Sequence, residues 1–110
     1  MSGGDERVVE YDKLVRDDIP EIIRADGEKP ETHVADDTEY ARRLREKLVE
    51  EAEEFAESGE IEELADVVAV VDAIGENRGV GWEELERRAD EKASERGGFA
   101  EGIVLERVWK

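Results

Sequence analysis

The sequence predicts an all-α protein, an antiparallel helical bundle with short extended segments near both termini. Three observations carry that expectation. Apolar residues make up 38% of the 110-residue chain, and over residues 36–96 they recur at helical rather than alternating spacing. Gly59, Gly79-Val80-Gly81 and Gly97-Gly98 punctuate that stretch at intervals that suit helices of ordinary length. A chain this long buries about two-thirds of its extended surface on folding, so the absence of cysteine leaves no staple missing.

Residues 1–7 are small and polar and are expected to fray, with a single domain over residues 8–110. Val8 to Tyr11 is a short β-prone run. Pro20 suits the first turn of a short helix, where its missing N–H has no partner to lose, and that helix is expected to end near Asp26-Gly27. Residues 27–36 are expected to form a loop or extended segment. The first long helix is expected to start near Asp36 or Asp37, since Asp36 with Glu39 matches a capping box, and to stop at Ser58-Gly59. Ala41, Leu44, Leu48, Ala52 and Phe55 supply its core stripe.

A tight turn at Gly59 leads to a second helix from about Glu60 to Asn77, and so short a turn predicts antiparallel neighbours. Ile61, Leu64, Ala65, Val67, Val68, Val70, Val71, Ala73 and Ile74 make it apolar nearly all round, which predicts a central helix buried on several sides. Covering it completely calls for a second subunit, so a homodimer or higher homo-oligomer is expected. A third helix is expected from about Trp82 to Arg96, and Phe99 to Trp109 as an extended or β tail. Trp82 and Trp109 are expected to be packing anchors.

The charge excludes some functions. There are 33 Asp+Glu against 16 Lys+Arg, a net charge of -17. A field of that sign repels nucleic acid polymers, whose binding rests on Lys and Arg replacing counterions. No run approaches a membrane span and the first residues hold no apolar signal region, so a cytoplasmic protein is expected. With 11 Arg and only 5 Lys, the acid-rich, lysine-poor balance fits a halophilic protein whose self-repulsion is screened by concentrated salt.

Most of the acids are expected to be a solvated coat, but a few are placed otherwise. Glu51 lies about 60° from the centre of the first long helix's core stripe, with Glu54 one turn on and Lys47 one turn before. On the second helix Glu63, Asp66, Val70 and Ala73 form an i, i+3, i+7, i+10 row, so two acids extend an otherwise apolar stripe. These four acids are expected to converge near Gly59. Packed carboxylates repel one another unless a divalent cation joins them. All-oxygen ligands favour Mg²⁺, Mn²⁺ or Ca²⁺. The calcium-loop pattern is absent, and carboxylate-held Mg²⁺ characteristically binds substrate phosphates.

Glu51-Ala52-Glu53-Glu54 followed by Glu63-Leu64-Ala65-Asp66 resembles the ExxE…ExxD signature of the all-α nucleoside triphosphate pyrophosphohydrolases. Tyr11-Asp12-Lys13-Leu14-Val15-Arg16-Asp17 with Ile19-Pro20-Glu21-Ile22-Ile23, Lys47 to Glu51, Glu62 to Asp66, and Lys92 through Arg96-Gly97-Gly98-Phe99 resemble its MazG-like, phosphoribosyl-ATP pyrophosphohydrolase-like branch, over roughly residues 9–106. The segment from Lys13 to Ile23 is the most specific of these pieces. One departure is the connection, since eight residues separate Glu54 from Glu63, fewer than is usual there.

The resemblance implies Mg²⁺-dependent hydrolysis of a nucleoside triphosphate between its α and β phosphates, with Mn²⁺ as a substitute ion. It implies Glu51, Glu54, Glu63 and Asp66 as metal ligands, with a general base among Glu50, Glu51 and Glu54. Glu50 is also an alternative ligand. Lys13, Arg16, Lys92 and Arg96 are the implied phosphate contacts, with salt bridging to the acidic helices as the alternative role of Lys13 and Arg16. Arg88, Lys92 and Arg96 form an i, i+4, i+8 basic stripe, in which Arg88 equally suits pairing with Glu84. Two alternatives stand beside house-cleaning of nucleotides: phosphoribosyl-ATP hydrolysis in histidine synthesis, and a non-catalytic acidic assembly module.

Overall fold

A computed structural model describes residues 7–110, so the expected frayed tail lies, but for Arg7, outside the described residues. The chain is all-helical, with α1 (Ile19–Ala25), α2 (Asp37–Ser58), α3 (Ile61–Asn77) and α4 (Trp82–Arg96). No strand occurs among the described residues. Two compact units divide it, one ending at Ile74 and the other running from Gly75 to Lys110, with the boundary inside α3. No helix among the described residues is long and apolar enough to cross a membrane.

In the first unit, α1 carries Pro20 in its opening turn and closes at Asp26, where Gly27 takes a positive φ of 84°. At the start of α2 the Asp36 carboxylate accepts a hydrogen bond from the Glu39 N–H at 2.8 Å. Only that half of the expected capping box forms. The Glu39 carboxylate is bonded instead to His33 Nε2 at 2.9 Å and to Arg43 Nε at 3.1 Å, and the charged guanidinium is a stronger partner than a single backbone N–H. Gly59 ends α2 in the left-handed conformation, and its N–H donates to the Phe55 carbonyl at 2.7 Å.

Leu44 is the buried centre of the α2 stripe, with Ala41, Leu48 and Phe55 half-buried and Ala52 exposed rather than packed. On α3 the row of Glu63, Asp66, Val70 and Ala73 is the covered one, with Val70 buried and the others half-buried. Ile61, Leu64, Ala65, Val68 and Asp72 are exposed. The expectation that α3 is buried on several sides therefore does not hold within one chain. Its apolar residues span more of the circumference than the chain's other elements cover.

In the second unit, the end of α3 is a Schellman motif. The Val80 N–H donates to the Gly75 carbonyl at 2.7 Å and the Gly79 N–H to Glu76 at 3.1 Å, with Gly79 at φ 70°. Gly75 is required by the return of the chain, because a Cβ there would stand 2.5 Å from the Val80 carbonyl oxygen. α4 ends at Gly97, and a turn closed by Gly102 N–H to Phe99 O at 3.1 Å follows.

Of the two forms expected for Phe99 to Trp109 the β one does not occur, and the β-prone run from Val8 to Tyr11 forms no strand either, since propensity alone does not make a ladder. Phe99 is 98% exposed and Trp109 88% exposed, so Trp109 is not a packing anchor here. Trp82 is also exposed.

Candidate metal centre

The connection through Gly59 and Glu60 is short enough to bring acids from α2 and α3 to one place. Glu51, Glu63 and Asp66 each offer a carboxylate oxygen, and the three oxygens lie within 4.8 Å of one another. The three-residue step from Glu63 to Asp66 puts both on one face of α3. Glu51 is the unusual member. It is only 8% exposed, Lys47 Nζ stands 3.1 Å from its Oε1, and its Oε2 is buried without a hydrogen-bond partner. A buried carboxylate oxygen left unpaired is costly.

Glu54 lies outside the group of three but beside it. A hydrogen shared with Glu51 is the largest cause pushing its carboxyl above the usual range, followed by repulsion from Glu51, with Glu63 and Glu50 adding to it. Both facts fit one picture. A cation among Glu51, Glu63 and Asp66 would give the unpaired Glu51 oxygen a partner and relieve the same repulsion.

Glu50 is differently placed. Its carboxylate accepts from Lys13 Nζ at 2.8 Å and from Lys47 Nζ at 3.3 Å. Partial burial pushes Glu50 up, yet the hydrogen bonds from Lys13 and then Lys47 outweigh it and hold it below the usual carboxylate range. The same bond to Glu50 raises Lys13 and keeps it charged. Arg16 Nη2 meets Asp66 Oδ1 at 2.9 Å. Lys13 and Arg16 are thus bound to the acids of this centre.

Two residues that the sequence reading does not single out shape this arrangement. Asp12 is the non-glycine residue with positive φ among the described residues, 46°. Arg43 donates to its backbone carbonyl at 2.7 Å and to its Oδ1 at 2.8 Å. No periodic signal marks that pair, which is 31 residues apart. Lys47 is more accessible to inference, being one turn before Glu51. His33, the single histidine, lies against Glu39.

Lys92 and Arg96 belong to α4 in the second unit, are exposed, and have no ion pair among the described residues. With Arg87, Arg88, Glu91 and Glu95 they line a shallow groove along α4. Arg88 Nε bonds Glu84 at 2.7 Å, the intrahelical pairing open to it from its spacing. Asp72 is exposed, without a cationic partner among the described residues.

The donor set at Glu51, Glu63 and Asp66 is all oxygen, and one buried oxygen there has no partner. That chemistry fits a hard divalent cation rather than zinc. Comparison with family models, curated proteins and solved structures finds no match for this chain.

Proposed function

We propose that the protein is a Mg²⁺-dependent nucleoside triphosphate pyrophosphohydrolase of the MazG-like kind, releasing a nucleoside monophosphate and pyrophosphate in the house-cleaning of nucleotides. Mn²⁺ serves in place of Mg²⁺. The observation that carries this reading is the meeting of Glu51, Glu63 and Asp66 with a buried Glu51 oxygen that no protein group satisfies. The antiparallel bundle and MazG-like fold belong to the same proposal.

Glu51, Glu63 and Asp66 hold the cation. When bound, it neutralises phosphate oxygens and makes a water easier to deprotonate. A water attacks the α phosphorus in line, the bond to the bridging oxygen breaks, and pyrophosphate leaves. Glu54, beside the three ligands and with its carboxyl pushed above the usual range, takes the water's proton. Glu50, held down by two lysines, is the weaker base. Lys13 and Arg16 bind the phosphates that depart, and Lys92 and Arg96 remain proposed phosphate contacts.

The proposal includes a homo-oligomer. Leu44 and Val70 are the buried apolar residues among those described, while Ile61, Leu64 and Val68 lie exposed on α3. A second copy covering that face supplies the burial that one chain lacks.

Pyrophosphate release from a panel of triphosphates, phosphoribosyl-ATP included, tests this with and without Mg²⁺ and in low and molar salt. Metal-dependent release is the expected result, and preference for phosphoribosyl-ATP would move the assignment to histidine synthesis. No turnover together with no cation binding would leave a non-catalytic assembly module.

A further inference from the structure

Lys13 and Arg16 come from the segment before α1, which forms no helix or strand of its own, and yet they reach two specific carboxylates. Lys13 is 2.8 Å from Glu50 and Arg16 is 2.9 Å from Asp66. Neither pair accounts for the segment's course by itself, because both cations are partly exposed and such pairs are weak. Directly before Lys13, the chain takes the left-handed turn at Asp12. Arg43 holds that turn at two points. Its Nη1 bonds the Asp12 carbonyl and its Nη2 the Asp12 carboxylate, while its Nε is fixed on Glu39. The Arg43 side chain is largely buried, unlike those of Arg42 and Arg16, and a planar fork with every arm engaged has one orientation.

We propose that Arg43 is a positioning residue: through its fork on Asp12 it sets the direction of the segment that delivers Lys13 and Arg16 to the acid cluster. This deepens the proposed function, on which it rests for the identity of the ligands. Arg16 occupies Asp66 when no cation does. A divalent cation that takes Asp66 displaces Arg16, and the anchored segment keeps the released guanidinium beside the cation, where an anionic phosphate is met. The clamp therefore acts on the two ligands in opposite directions. It weakens cation binding, by holding a competing charge on the carboxylates, and strengthens phosphate binding.

Arg43→Lys keeps the charge and loses the fork. Asp12→Ala loses the accepting carboxylate and disfavours the left-handed turn, while Asp12→Asn keeps an accepting oxygen and tolerates that turn. Arg42→Ala is the control, since Arg42 pairs with Glu46 and does not touch the segment. Mn²⁺ binding and inorganic pyrophosphate binding in saturating Mn²⁺ are measured by calorimetry on the full chain. Trypsin nicking after Lys13 and Arg16 is followed by mass spectrometry.

Arg43→Lys and Asp12→Ala are expected to be nicked faster, to bind Mn²⁺ about two- to fivefold more tightly, and to bind pyrophosphate more weakly. Asp12→Asn is expected to match the wild type in all three, and Arg42→Ala in nicking and pyrophosphate binding. Unchanged nicking and affinities would overturn the proposal. So would a parallel loss of both affinities, which marks general damage rather than positioning. If Arg43→Lys fails to fold, the Asp12 pair decides alone. If the wild type binds no Mn²⁺, the proposed function fails, and the nicking pattern still determines whether Arg43 sets the segment.

Discussion

Lys47 Nζ stands 3.1 Å from Oε1 of Glu51, one helical turn away, and leaves the second oxygen of that buried carboxylate without a donor. Lys47 is shared with Glu50 at 3.3 Å, and Lys13 and Arg16 are taken by Glu50 and Asp66, so none of these cations reaches that oxygen. Added Mg²⁺ or Mn²⁺ is therefore expected to stabilise the protein. At a hundredfold excess over its dissociation constant the ion contributes about 2.7 kcal/mol. Glu51→Gln is expected to abolish the rise in melting temperature on adding the ion, without lowering that of the ion-free protein. A rise undiminished in Glu51→Gln would show that the ion binds elsewhere.

Glu54 gives a pH test of the same centre. Its carboxyl is pushed up in the folded protein, chiefly by the hydrogen shared with Glu51 and by repulsion from it. The folded state thus binds this proton more tightly than the unfolded chain. The resulting stability is present below the ordinary glutamate value and is lost as pH rises through the raised one. In ion-free buffer Glu54→Gln is expected to melt higher than wild type at neutral pH, with the gain shrinking toward pH 4. Thermal melts across that range check it, and an equal offset at every pH would contradict the assignment.

The opposite sign holds at the start of α2. Hydrogen bonding with His33 is the largest cause lowering the Glu39 carboxyl, and Arg43 lowers it further. A lowered carboxyl contributes stability above its unfolded value, and that contribution disappears as pH falls through the folded one. Glu39→Gln is expected to destabilise the protein at neutral pH and to converge with wild type in acid. Melts of the two proteins between pH 3 and 8 measure the convergence.

At Gly75 two rules conflict. Alanine is the better helix former by about 1 kcal/mol, yet its Cβ would meet the Val80 carbonyl oxygen at 2.5 Å. Backbone of a closed Schellman motif does not yield easily, so Gly75→Ala is expected to cost about 1–3 kcal/mol, as overpacking does. Denaturant unfolding would show it, and a stabilising effect would mean that the motif opens readily.

The exposed face of α3 bears on assembly. Val68→Lys places a charge amid Ile61, Leu64 and Ala65 on a face that one chain leaves uncovered. It is expected to reduce the mass seen by light scattering to that of a single chain. A monomeric wild type would remove the oligomer from the proposed function.

What the sequence made legible follows the range of the interactions. Asp36, Gly59 and Gly97 mark helix ends through contacts with residues three or four positions away, and those boundaries stand where local chemistry puts them. The row of Glu63, Asp66, Val70 and Ala73 was legible because helical period alone places it on one face. Salt bridging of Arg16 to the acidic helices is an open alternative in the sequence, but neither period nor propensity singles out Asp66, 50 residues away, as its partner. The left-handed turn at Asp12 is equally silent, since aspartate also suits ordinary turns. For the segment from Phe99 to Trp109 only the β alternative fails. Its residues favour strands, but propensity without a pairing edge leaves a chain with no ladder to join.

Arg43 and Glu51 share one rigid rod, eight residues apart, which at about 1.5 Å per residue is about 12 Å along the axis. The anchor of the cationic segment and the acids it serves are thus measured off against each other by α2 itself. Substitutions at Arg45 or Val49, which face solvent, leave that distance untouched. A single inserted or deleted residue between Arg43 and Glu50 turns one end against the other by about 100°. Related chains that keep the segment and the acids are therefore free to vary the solvent-facing positions of this stretch, but not its length.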